Sequence, residues 1–125
     1  MTLSTQRFEA WIDAYGKAWI ARDARRFGAL FAEDAIYYWT PFNDPLKGRD
    51  AITAAFSKAV GGERDIEYGA RVLYTSAELG AAHWSAALTK LRGGKRQHLD
   101  GIFVVVFNEA GKAISLRQWH HKDER

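Results

Sequence analysis

The chain has 125 residues, 47% of them apolar, with five Trp, five Tyr and seven Phe, a net charge of +3 and no cysteine. That length supplies one ordinary domain with a single core, and the aromatic-rich composition excludes a disordered chain. Disulfides, thiolate metal sites and a cysteine nucleophile are excluded as well, and the opening MTLSTQRFEAWIDAYGKAW is too charged for a signal peptide or a membrane span, so a cytoplasmic, soluble domain over 1–125 is expected.

Ser4 and Thr5 are caps for a first helix, in which Phe8, Trp11, Ile12, Tyr15, Trp19 and Ile20 recur at spacings of three and four. Gly16 inside that helix implies close packing. Asp23 is expected to cap a short second helix carrying Phe27, Leu30 and Phe31 and ending at Asp34. AIYYWT, residues 35–40, reads as a strand, and Pro41 and Pro45 bracket a loop. Asp50 is expected to cap a third helix bearing Ile52, Phe56 and Val60, ended by Gly61 and Gly62. Beyond the two glycines the period becomes extended, with strands near 64–76, 79–91, 96–107 and 112–121 joined by TSAELG, RGGK and NEAGK turns. The order predicts an α+β fold of about three helices on a five-stranded, mostly antiparallel, curved sheet.

That order, with ARDARRFGALFAEDAIYYW, KGRDAI after the proline loop and DGIFVVVFNEAGKAISLRQWHH, resembles the SnoaL-like / nuclear transport factor 2-like superfamily over residues 7–121. The resemblance implies a cone-shaped domain with a deep pocket between the first helices and the concave sheet. It also implies a homodimer through the convex face and no cofactor. The ketosteroid isomerase branch uses a helix tyrosine, matched here by Tyr15. Its base falls at Trp39 or Thr40 and its strand acid at Phe103, so that chemistry is not expected. The polyketide cyclase branch places an acid near the end of the last strand, where this chain has His120.

Histidine titrates near neutral pH without a large shift, so His120 is the leading candidate base. Alternation puts Ile114, Leu116, Gln118 and His120 on one face and Ser115, Arg117, Trp119 and His121 on the other. Asp100 is an acid inside an apolar strand and, with Tyr15, a candidate hydrogen-bond partner. Alternation turns it away from Phe103, unless a bulge at Gly101 reverses it. Trp84 is expected inside and His83 outside. Trp19, Trp39, Phe56, Trp84, Phe103 and Gln118 are the candidate ligand wall. Neither HxH nor HxxxH occurs, so no metal is expected, and the scattered basic residues do not predict nucleic-acid or membrane binding. The functional expectation is a small, largely apolar organic ligand with general acid–base chemistry on it (isomerase, cyclase or dehydratase type). The alternative is a non-catalytic ligand-binding or protein-interaction module.

Overall fold

Ser4 opens the first helix, α1 (Thr5–Ala21), by accepting the Arg7 N–H at 3.1 Å. Such a cap satisfies one of the four orphan donors of a helix N-terminus and is worth about 1 kcal/mol. Phe8, Trp11, Ile12, Tyr15 and Ala18 form its buried face, while Ile20, expected on that face, is half exposed at the last turn. In the computed structural model, which describes residues 2–124, α1 is followed by α2 (Ala24–Gly28), β1 (Phe31–Tyr38), β2 (Leu46–Lys47), α3 (Arg49–Val60), β3 (Glu63–Ser76), β4 (Leu79–Lys90), β5 (Arg96–Phe107) and β6 (Ala113–Glu124).

The strands form one sheet in the order β2-β1-β6-β5-β4-β3. All neighbours are antiparallel except β1 and β6, which run parallel. Three helices on a curved mixed sheet give the expected cone-shaped α+β fold, with six strands instead of five. The extra strand is β2, two residues after the proline loop that pair with Ile36 and Tyr37, too short to show alternation in sequence. Residues 31–34, expected to finish the second helix, instead begin β1. Phe31 pairs with Ala113, a partner far along the chain that local periodicity does not reveal. Asp50 is not the cap of α3 either. Gly48 holds that position at φ 93°, and Asp50 sits in the first turn, where a carboxylate favours the positive end of the helix dipole.

Opposed residues in these ladders share a face, and this sorts the sheet into rows. Val72, Ala82, Phe103 and Gln118 form one inward row, Ala70, Trp84, Gly101 and His120 the next, and Tyr68, Ala86, Leu99 and Lys122 a third. The first of these lies deepest in the aromatic core, where Trp11 touches Tyr15, Phe31, Phe103 and Phe107. Ile114 was expected inward but is a bulge. Phe107 faces Ala113 and Val106 faces Ser115, so Ile114 is left unpaired and exposed. No helix among the described residues is long and apolar enough to cross a membrane.

Candidate functional site

The third and second inward rows widen into a cavity of about 210 Å3 between the helices and the sheet. Tyr15 and Trp19 come from α1, Phe27 from α2, and Phe56, Ala59 and Val60 from α3. Trp39 enters from beyond β1, Glu63 opens β3, and Trp84, Leu99, Gln118, His120 and Lys122 come from the sheet, with Lys90 and Gln97 beside them. The size lies below the usual range for drug-sized ligands, so the space suits a small ring compound. A more open hollow of about 710 Å3 shares Trp39, Gln118 and His120 with it and runs out beneath residues 40–42.

The aromatic walls are built by edge and stacking contacts. Phe27 and Phe56 stack at 3.9 Å, which locks α2 against α3. Trp19 meets Trp84 at 6.0 Å and 61°, and Trp84 meets the His120 ring at 5.8 Å. Gly101 lies between Trp84 and His120 in the ladder. With no side chain there, the two rings meet across the strand. The Trp84 Nε1–H is buried and has no acceptor among the described residues, a cost of about 1–3 kcal/mol for such a group.

A polar chain runs behind the apolar surface. Tyr37 donates its hydroxyl proton to Gln118 Oε1 at 2.6 Å. Having spent its proton, Tyr37 accepts from Tyr15 at 2.8 Å. Burial raises the pKa of both phenols, and for Tyr15 the neighbouring Tyr37 adds to the rise, so both stay protonated. The consequence is a fixed amide. Gln118 is buried, its oxygen is occupied, and its Nε2–H2 has no partner among the described residues. Gln118 therefore offers the cavity donors rather than acceptors. Tyr15 spends its proton inside the protein and does not offer it to a ligand.

His120 lines the cavity with its pKa lowered, first by partial burial and then by the charges of Lys122 and His121. It is therefore neutral at neutral pH, the state a base requires. Asp100 does not reach it. The ladder through Gly101 is unbroken, so no bulge reverses the alternation, and Asp100 lies on the outer face. There both its carboxylate oxygens meet His83 Nε2, at 3.0 and 3.1 Å. His121 lies opposite Asp100, also on the outer face.

Of the residues read as a ligand wall, Trp19, Trp39, Phe56, Trp84 and Gln118 line the cavity. Phe103 does not. It is fully buried one row deeper, stacked on Trp84 at 6.3 Å and 20°. His83 and His98 are outside and His120 inside, and among the described residues no three His, Asp or Glu side chains are grouped to hold a metal. Tyr37 and Glu63 were missed. Alternation of Ala35, Tyr37 and Trp39 carried a signal for the first. Glu63 carried none, because GGERD reads as an exposed charged turn.

Residues 8–116 match the SnoaL-like domain family. The chain belongs to that family. Among solved structures, a computationally designed 17-OHP binder aligns with TM-score 0.81 at 19% identity, covering 95% of this chain and 98% of the other. The Mycobacterium tuberculosis protein RV0760c aligns with TM-score 0.82 at 17% identity, covering 98% and 99%. At these identities the likeness is one of fold alone. Comparison with curated protein sequences returns no match.

Proposed function

We propose that this SnoaL-like chain binds a small, largely apolar organic molecule in the inner cavity and that His120 acts on it as a general base. The observation that carries the reading is geometric: one aromatic cavity is lined by both the His120 imidazole and Gln118, whose amide oxygen is already taken by Tyr37. A proton taken from the ligand by His120 would leave negative charge on a neighbouring ligand oxygen, and the Gln118 N–H groups would be the donors to receive it. This is the chemistry of an isomerisation, cyclisation or dehydration. The designed 17-OHP binder supports the reading only by sharing a framework that houses a small-molecule site.

A second reading, a non-catalytic binding module, is favoured by one observation. His120 has no carboxylate oriented on it, since Asp100 is engaged by His83 on the other face. NMR titration of the imidazoles separates the two. With His120 as base, its resonance titrates below that of a free imidazole and moves when toluene or benzylamine occupies the cavity, and His120→Ala abolishes turnover with the fold intact. His121→Ala, on the outer face, removes one of the charges that lower the His120 pKa but should leave turnover and the response to ligand in place. If His120 titrates like a free imidazole and ignores the ligand, the binding module replaces the enzyme.

A further inference from the structure

Glu63 is the one charged side chain among the buried described residues, and it lines the aromatic cavity. A buried carboxylate is expensive unless it is paired and hydrogen-bonded. Its two oxygens are served unequally. Oε1 accepts the Trp19 indole N–H at 2.9 Å. Among the described residues Oε2 has only the Lys90 ammonium, at 3.8 Å, well beyond the roughly 2.7–2.9 Å of a charge-assisted hydrogen bond. Lys90 is itself substantially exposed, with 40% of its side chain open to solvent. One carboxylate oxygen is thus fixed, and the other has no short partner among the described residues.

The rings beside it complete the picture. Trp19, held by that same carboxylate, stands edge-to-face with Trp84. Indole faces attract organic cations, most strongly where water is excluded. We propose that Glu63 and these two indoles form a subsite for a protonated amine, so that the cavity's ligand is a small ring compound bearing an ammonium group. Lys90 occupies the place of that ammonium imperfectly from the mouth. A ligand amine arriving from the cavity side makes the short bond to Oε2 that Lys90 does not make, and Lys90 swings to solvent. Lys122 at the rim opposes a cation, as it opposes the charged form of His120, but its side chain is exposed, so salt weakens that opposition. The proposal rests on the cavity being a ligand site, and it names the ligand's charge.

The test uses three probes of like shape, benzylamine, toluene and benzoate, titrated against the full chain by calorimetry at neutral pH. Benzylamine is expected to bind roughly tenfold tighter than either of the others. Glu63→Gln keeps an acceptor for Trp19, and hence the local fold, while removing the charge. It should bring benzylamine down to the affinity of toluene and leave toluene unchanged. Lys90→Met removes the competing ammonium and should tighten benzylamine severalfold. A carboxylate that only anchored Trp19 would leave the ranking of the probes unmoved by Glu63→Gln. That result, or a preference for benzoate, overturns the amine subsite while the cavity reading stands. If none of the three probes binds, both fall together.

Discussion

At Gly101 a single hydrogen atom decides the shape of the site. A Cβ there would run into the Trp119 carbonyl oxygen and the His120 Cβ on the neighbouring strand, and neither belongs to the far end of a flexible side chain. Gly101→Ala is therefore expected to push β6 off β5 and to separate Trp84 from His120. The loss should be about 1–3 kcal/mol in urea unfolding, as for other overpacked interiors, together with loss of ligand binding. Full stability in that variant would mean that the strands yield at no cost. The imidazole itself links the site to pH. His120 has its folded pKa below the unfolded value, so the unfolded chain takes up the proton first as pH falls. Its contribution to stability is present above the ordinary imidazole pKa and is lost as pH drops through the lowered one. The inward position of His120 was legible in the sequence because alternation along one strand is a local signal. Glu63 was not, because its meaning comes from Trp19, 44 residues earlier in the chain.

Among the elements, α2 and α3 meet through Phe27 on Phe56 and through Gly28 against Thr53, and the phenyl stack is also the cavity wall. Phe56→Ala is expected to cost about 3–5 kcal/mol of unfolding free energy, and less if the cavity fills with water. In the same variant the cavity should accept a bulkier ring than benzylamine, a gain readable by calorimetry. Unchanged stability would show that α3 is not held by this contact. The elements that the sequence disclosed are those with their own periodicity: α1, α3 and the four long strands. The element it misassigned, the start of β1, is short and defined by pairing. Leu30 illustrates the difficulty, since its carbonyl oxygen accepts both the Trp11 indole N–H and the Ala113 N–H. Both partners are distant in sequence, and no window of local residues contains them.

For the whole molecule, the helices cover only one face of the sheet. The outer rows carry Tyr74, Ala81, Val104 and Arg117, then Arg71, His83, Ile102 and Trp119. Trp119 is 49% exposed and Tyr74 56%, with Ile102, Val104 and Val106 only partly covered between them. These open apolar side chains, interleaved with Arg71, His83 and Arg117, form a strip that a second copy could cover. Two copies placed strip to strip about a twofold axis would bury it, and a self-complementary patch is what such symmetry requires. The His83–Asp100 pair lies beside Trp119 on the same face and would be enclosed at the edge of that contact. Light scattering at micromolar concentration is therefore expected to give twice the 14.1 kDa chain mass. Trp119→Glu should return the single-chain mass, because a charge would then face its own symmetry mate across the axis. Since Trp119 points away from the cavity, benzylamine should bind that variant as it binds the parent. A single-chain mass in the unmodified protein would sink the dimer and leave the outer strip as a surface for some other partner.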